Sequence, residues 1–460
     1  MYFKQFYLKC LAHASYLIGS EGEAIVVDPQ RDIEQYIEEA LKNNLKIKYI
    51  IETHLHADFV SGHLELAKMT GASIYISKKA NAQFEYVPVT DNTKIQLGQI
   101  EITFLETPGH TPEGISVLLT DKNKKEASKL LTGDTLFIGE VGRPDLVGSK
   151  GFTANQMASM LYDSLWKKIL ILDDRTEIYP AHGAGSACGK NISNETSSTL
   201  AEQKKNNYAL QEMTKDEFIA VVTKDLPKAP DYFLHDVQMN QKGAGLLEDL
   251  PSLKSYSPND VYAMSKETII FLDVRGVSEF STAHIAHSIN IGLNGAFAPW
   301  VGEILNSQKS IIIIAESLEQ CQETQLRLAR IGYENVIGYI EGGIFGWQKS
   351  GLPLQNIVLE TVNELNEQIK ENNKIQIIDV RKSEEFAKGH IPNAVNIPLN
   401  ELKNNIDKVD RNKQVIVNCA AGYRGSIAAS ILKNEGFIEV SNIIGGFGSW
   451  ASEGLKVIKN

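Results

Sequence analysis

Cysteine is scarce: four in 460 residues, Cys10, Cys188, Cys321 and Cys419, widely separated and without a Cys-x-x-Cys pair. That excludes a disulfide framework and fits a reducing, cytoplasmic setting. Long apolar runs are also missing. No stretch reaches the roughly 20 residues that span a bilayer, and charges break the apolar positions of the opening MYFKQFYLKCLAHASYL, which argues against a signal peptide. Positive charge is in deficit, with 46 Lys and Arg against 57 Asp and Glu and a formal net charge of -11. Neither nucleic acid nor an anionic membrane surface is therefore expected as a partner. What remains, 43% hydrophobic and 22% charged, is a globular composition. At about 150 residues per domain the length suggests three units.

The richest chemistry lies in ETHLHADFVSGH, residues 52–63. An apolar run, Ile47 to Ile51, reads as a buried strand, so His54, His56 and Asp58 emerge at its mouth. Three residues this close in sequence cannot enclose a metal ion alone. Partners follow downstream, each closing a strand-like run: His110 in LETPGHTPEG, Asp134 in LLTGDTLFIGEVGRPD and His182 in EIYPAHGAGSACG. Around them, YFKQFYLK, ASYLIG and EAIVVDP alternate as opening antiparallel strands turned at Gly19 to Gly22. Residues 32–41 have helical spacing, and a second helix opens at Gly62 behind the cluster.

Those four segments resemble the metallo-β-lactamase superfamily. Its binuclear members, including the glyoxalase II type of thioester hydrolase, carry His-x-His-x-Asp-His, with the last His helping to hold a second metal; here Phe59 stands there. HADFVSG, TPGHT, GDTLFIG and GRPD instead resemble the persulfide dioxygenase branch. That resemblance implies one iron(II) per chain, held by His54, His110 and Asp134, with His56, Asp58 and His182 orienting ligands or relaying protons. Two imidazoles and one carboxylate on one face of an octahedral ion suit oxygen-using non-haem iron and leave three positions open. The resemblance also places Arg143 in the thiol pocket, where its fork suits a carboxylate, although an ordinary pair with Asp145 is the competing reading. Tyr208, in KKNNYAL, resembles a family tyrosine near the active site. Cys188 reads as a small buried residue.

Beyond QKGAGLLEDLPSLKSYSP the chain repeats itself. FLDVRGVSEFSTAHIAHSINI (271–291) matches IIDVRKSEEFAKGHIPNAVNI (377–397), pairing Asp273 with Asp379 and His284 with His390, both histidines being read as fold-stabilising. Each copy ends in Gly-Gly and a Trp: Gly342, Gly343 and Trp347, then Gly445, Gly446 and Trp450. Strands alternating with helices predict a small parallel α/β sheet in each. In the second copy a strand ends in CAAGYRG, residues 419–425. A thiolate at Cys419 would be encircled by loop amides, with Gly422 and Gly425 allowing unusual φ values and the helix end and Arg424 adding positive charge, effects that lower a thiol pKa. DVR, GHI, Cys-x-x-Gly-x-Arg and the closing GGF-x-x-W resemble the rhodanese sulfurtransferases. The first copy has Ala315 for Cys419 and Gln320 for Arg424, with Cys321 displaced onto the helix, so it is expected to be inactive.

The resulting expectation is an α/β multidomain chain: an αββα metallo-β-lactamase sandwich over 1–250, an inactive rhodanese-like domain over 256–352 and a catalytic one over 355–460. This order resembles persulfide dioxygenase–sulfurtransferase fusions of sulfide detoxification. It implies oxidation of a low-molecular-weight thiol persulfide by O2 to sulfite and thiol, coupled to sulfane-sulfur transfer through Cys419 that makes thiosulfate or runs in reverse. The alternative is a binuclear zinc thioester hydrolase of glyoxalase II type fused to a sulfurtransferase. Glutathione persulfide or coenzyme A persulfide would serve as substrate, and a homo-oligomer is the family expectation.

Overall fold

A computed structural model of the chain describes all residues except 123–125, 147–150, 227, 372–373 and 460. It divides into two compact units, Met1–Leu250 with Ala329–Gly332, and Pro251–Leu328 with Tyr333–Asn460.

The first unit is built on two six-stranded sheets. One runs in the order Tyr2–Leu8, His13–Ser20, Glu23–Val27, Lys46–Ile51, Ser73–Ser77, Val87–Val89; the other runs Ser198–Thr199, Glu177–Pro180, Lys129–Gly133, Ile115–Asp121, Ile100–Glu106, Lys94–Leu97. The opening three strands pair antiparallel as the alternation predicts. Helix Glu34–Lys42 then returns the chain so that Lys46–Ile51 lies parallel to Glu23–Val27. Because side chains alternate across a strand, both faces of the central strands must be covered. Tyr16, Ile18, Ile25 and Val27 meet Phe104, Val117 and Leu131 of the second sheet, forming the inner core. Leu17, Ala24 and Val26 point the other way, under Tyr36 and Leu66 of helices Glu34–Lys42 and His63–Thr70. Leu105, Leu130 and Ile178 likewise pack outward against Leu161 and Phe218 of helices Ala154–Ser164 and Lys215–Thr223. The layering is therefore αββα. No helix among the described residues is long and apolar enough to cross a membrane.

The second unit holds two five-stranded, all-parallel sheets of the same order. One is Lys254–Tyr256, Val336–Ile340, Ser310–Ile314, Ile269–Asp273, Ser288–Asn290; the other is Val358–Glu360, Val440–Ile443, Gln414–Asn418, Ile375–Asp379, Ala394–Asn396. Equivalent residues do equivalent work. Arg275 and Arg381 each fork onto the buried Asp two residues before them and reach a carbonyl, of Ala283 and Gly389 respectively. His284 and His390 stack on Phe280 and Phe386, and their Nδ1 atoms donate to those residues' carbonyls at 3.0 and 3.1 Å. Trp347 and Trp450 fill the two cores, each donating Nε1–H to a carbonyl six residues on, of Pro353 and Lys456.

Phe104 is fully buried between the two large sheets. Phe104→Ala should lower stability by about 3–5 kcal/mol in urea unfolding, the usual cost of removing a buried aromatic ring; a loss under about 1 kcal/mol would show that this face is not a packed core.

Candidate metal centre and thiol site

Strand ends in the first unit supply every polar group of its site. His54 follows Lys46–Ile51, His110 follows Ile100–Glu106, Asp134 follows Lys129–Gly133 and His182 follows Glu177–Pro180. A strand end is where the backbone leaves its ladder, so polar side chains can converge without disrupting the sheet. One donor atom each from His54, His110 and Asp134 lies within 4.8 Å of the others, all three residues being buried. His54 Nε2 is 3.9 Å and His110 Nε2 3.4 Å from Asp134 Oδ2. An ion bound at about 2.1 Å would need neighbouring donors roughly 3 Å apart, a modest tightening.

Hydrogen bonds fix which imidazole nitrogen faces this point. Thr53 Oγ1 donates to Asp28 Oδ2 at 2.8 Å and so can only accept from His54 Nδ1, 2.9 Å away. His54 Nε2 is left without a proton or a hydrogen-bond partner, although buried. His110 Nδ1 lies 3.1 Å from the Arg143 carbonyl, to which it must donate, leaving its Nε2 basic as well. Burial holds both imidazoles below their ordinary pKa, keeping them neutral. Burial alone would raise the Asp134 carboxyl; the surrounding imidazoles, His182 foremost, hold it well below the usual carboxylate range. Two neutral imidazoles and an anionic carboxylate, with one orphaned nitrogen among them, fit a divalent metal cation.

His182 is clasped from both sides. Its Nδ1 is 2.8 Å from Asp134 Oδ1 and its Nε2 2.8 Å from Asp58 Oδ2. Against the cost of burial, these two carboxylates raise its pKa well above the ordinary value. His56 faces away from the three-donor point, with Nε2 3.1 Å from Asp28 Oδ1 and 3.7 Å from Glu52 Oε2. Phe59 stacks between His13 and His56, at 4.0 and 4.4 Å between ring centroids. The structure thus separates the sequence-predicted residues into His54, His110 and Asp134 at one point and His56, Asp58 and His182 around it.

Several neighbours escaped the sequence reading. Asp28 and Glu52 form a buried group with His56, and Cys188 forms another with Asp58 and His182. Asp28 closes a strand just as the recognised ligands do, in EAIVVDP, and that position was its signal. Cys188 is buried as expected, at 1% exposure, and it also lies against Asp58 and His182. Burial pushes its thiol well up, with Asp58 and Asp134 adding to the effect. His13 opens its strand with both ring nitrogens unpartnered and buried.

Two substrate-side expectations meet occupied partners. The Arg143 fork is bidentate on Asp145, at 2.7 Å for both bonds, and Nη1 donates to the Ala187 carbonyl. The fork is therefore closed on an internal carboxylate, the competing reading of the sequence. The Tyr208 hydroxyl donates to Glu140 Oε1, and its ring is about one-third exposed.

In the second unit, Cys419 ends strand Gln414–Asn418 and is buried. Gly422, at φ +98°, turns its N–H onto Cys419 Sγ at 3.1 Å. Gly425 departs from expectation. It lies inside helix Tyr423–Asn434 without positive φ, and its missing Cβ instead makes room for Asn442 Oδ1, which a Cβ would approach to 2.1 Å. Arg424 is held bidentate by Glu385, at 2.7 and 2.8 Å. In the other copy Ala315 takes the nucleophile's place, Gln320 accepts from the Glu316 N–H, and Cys321 is buried on helix Leu318–Ala329 with its thiol pushed up to about 11 by burial.

Comparison with known proteins agrees with both halves. Residues 8–182 match the Metallo-beta-lactamase superfamily, and residues 257–350 and 361–453 each match the Rhodanese-like domain. A mitochondrial persulfide dioxygenase of Bos taurus is 31% identical over 219 residues, covering 46% of this chain and 78% of that protein. A hydroxyacylglutathione hydrolase of Prochlorococcus marinus (strain NATL1A) is 36% identical over 164 residues, covering 35% of this chain and 60% of that protein. Among solved structures, a metallo-beta-lactamase from Staphylococcus aureus subsp. aureus COL aligns with a TM-score of 0.66 at 34% identity, covering 74% of this chain and 98% of its own. The chain belongs to the metallo-beta-lactamase superfamily, with persulfide dioxygenases among its homologues, and carries two rhodanese-like domains behind that fold.

Proposed function

We propose that the first domain, residues 1–250, oxidises a low-molecular-weight thiol persulfide with O2, and that the last, residues 355–460, moves sulfane sulfur through Cys419, with the rhodanese-like domain of 256–352 catalytically silent between them. The observation that carries this reading is the meeting of two tautomerically fixed, neutral imidazoles and one carboxylate, His54, His110 and Asp134, with His54 Nε2 left unpartnered. Iron(II) bound there would supply the electron transfer and open positions that oxygen chemistry needs. The chain's own residues do the rest. Thr53 with Asp28, and the Arg143 carbonyl, keep the two ligand nitrogens deprotonated. His182, between Asp58 and Asp134, orients the carboxylate and can pass a proton inward. Arg143 would serve the thiol carrier by exchanging Asp145 for the carrier's carboxylate, and Tyr208 bonds Glu140, three residues before Arg143.

Overall, persulfide, O2 and water give thiol and sulfite. Cys419 thiolate then displaces thiol from a second persulfide, taking the terminal sulfur, and sulfite accepts that sulfur to give thiosulfate and free the thiolate. The Gly422 N–H donates to Sγ at 3.1 Å, a contact that suits negative charge on that sulfur when it attacks and when it is released. The reverse direction uses the same groups.

A second reading is favoured by one observation, the Asp58–His182–Cys188 group, whose donor atoms also lie within 4.8 Å of one another. Filled by a second ion, it would make the centre binuclear and suit thioester hydrolysis of the glyoxalase II type.

Metal content of anaerobically purified protein, with O2 uptake on glutathione persulfide, decides between the two. One iron per chain with O2 uptake is expected, and His54→Ala should lose most of both; two zincs per chain with thioester cleavage and no O2 uptake would overturn the dioxygenase reading. Cys419→Ser should keep O2 uptake while its product changes from thiosulfate to sulfite. Thiosulfate formed at the wild-type rate by that variant would remove Cys419 from the pathway.

A further inference from the structure

We propose that the rhodanese-like domain lacking a nucleophile positions the catalytic loop of its neighbour, and that Tyr423 is the residue through which it does so. The inference rests on the sulfur-transfer reading of Cys419. Helix Tyr423–Asn434 begins directly after the loop that carries Cys419 and Gly422. Four residues on one face of it, spaced three, four and four apart, bond to one short segment of the silent domain. The Tyr423 hydroxyl donates to the Gly292 carbonyl at 2.8 Å, and Ser426 Oγ donates to Asn290 Oδ1 at 2.6 Å. The Asn290 N–H donates to Ser430 Oγ at 3.2 Å, and Asn434 Nδ2 donates to the Ser288 carbonyl at 3.2 Å. This spacing follows the helix repeat, so the segment lies along the helix as a rail.

Glycine records a second, independent feature. A Cβ at Gly295 would sit 2.3 Å from Tyr423 Cε2 and 2.4 Å from its Cζ. The silent domain therefore leaves out a side chain just where the tyrosine ring enters. Asn290 is itself fixed, because its Nδ2 donates to the carbonyls of Asp273 and Arg275. Its counterpart in the catalytic domain, Asn396, makes the same two bonds, to Asp379 and Arg381, but turns its oxygen to Ser383 of its own domain. The rail is thus a redirection of a shared device.

Within its own domain the loop is held by bonds to its backbone and, one residue beyond Tyr423, by the Arg424–Glu385 pair. The Phe447 N–H donates to the Cys419 carbonyl at 2.7 Å, the Gly448 N–H to that of Ala420 at 3.0 Å, and Asn442 Nδ2 to that of Gly422 at 3.1 Å. The first helical turn, which follows directly on the Gly422 amide at the sulfur, is tied to the silent domain through Tyr423. The middle copy has Glu319 at this position, with no such ring. Tyr423 does not touch the reacting sulfur, so it is a positioning residue.

The test uses the full-length chain as wild type, Tyr423→Phe, Tyr423→Ala and Gly295→Val. Two quantities are measured: steady-state sulfur transfer from glutathione persulfide to sulfite, and the pH profile of Cys419 alkylation, followed on its own peptide by mass spectrometry. Tyr423→Ala and Gly295→Val should lower kcat by about ten- to a hundredfold, the scale of a misplaced reacting group. KM for sulfite should stay within about twofold, since the loss lies in the reacting geometry rather than in uniform binding. The alkylation profile should move to higher pH, and Tyr423→Phe, which keeps the ring, should fall between. Wild-type kcat and an unmoved profile in both Tyr423→Ala and Gly295→Val would overturn the proposal. Should Tyr423→Ala lose its fold by circular dichroism, Gly295→Val and Tyr423→Phe decide alone. Absence of sulfur transfer in the wild type would instead defeat the functional reading, while the alkylation profile would still report on the loop.

Discussion

A carboxylate buried at a strand end has to be matched by protons or cations, because an isolated anion in that setting is prohibitively costly. Asp134 accepts a proton from His182 at Oδ1, while its Oδ2 faces the proton-free Nε2 atoms of His54 and His110 at 3.9 and 3.4 Å, across the point a cation would fill. That one requirement organises the site around it. It draws three histidines from the ends of three separate strands, and each outward nitrogen meets a partner of its own: His54 bonds Thr53, His110 bonds the Arg143 carbonyl, and His182 faces Asp58 at 2.8 Å. Asp28 stands a further step out, receiving both the N–H and the hydroxyl of Thr53. The αββα sandwich makes this possible by packing two sheets so that their strand ends open to the same side.

The tandem domains divide scaffold from chemistry in a way that the two copies make visible. The DVR arginine fork, the histidine stacked on phenylalanine and the tryptophan plug are present in both. So is a glycine packed against the nucleophile-position carbonyl: a Cβ at Gly446 would come within 2.2 Å of the Cys419 oxygen, and one at Gly343 within 2.5 Å of that of Ala315. At the loop itself Cys419, Gly422 and Arg424 stand against Ala315, Leu318 and Gln320.

Much of this was legible in the sequence because the features are local or periodic. Alternating apolar residues gave the opening strands, Ile47 to Ile51 the ligand strand, and the internal repeat two sheets of the same order. His54, His110 and Asp134 could be singled out because each closes an apolar run beside turn-forming residues, and the fold does bring them together. Features that depend on long-range packing were not legible. Glu52 carries no distinctive spacing relative to His56, and the bond between Ser426 and Asn290 joins residues 136 positions apart. Gly425 was misread for a related reason: its missing Cβ serves a distant Asn442, and sequence shows glycine without showing what it makes room for. Arg143 had two readings, and an adjacent acid, Asp145, was near enough to settle its resting partner.

Gly422 adopts φ +98° so that its N–H can turn to the sulfur, a conformation that costs glycine little and other residues much more. Its counterpart in the silent domain is Leu318, which is not among the described residues with positive φ. With leucine there, the path of the chain differs and not only the residue at the nucleophile position. A cysteine reintroduced at position 315 would find no turned amide waiting, and a glycine reintroduced at 318 would find no sulfur to serve. Neither change helps without the other, so no single substitution in this loop rebuilds an amide-lined sulfur site.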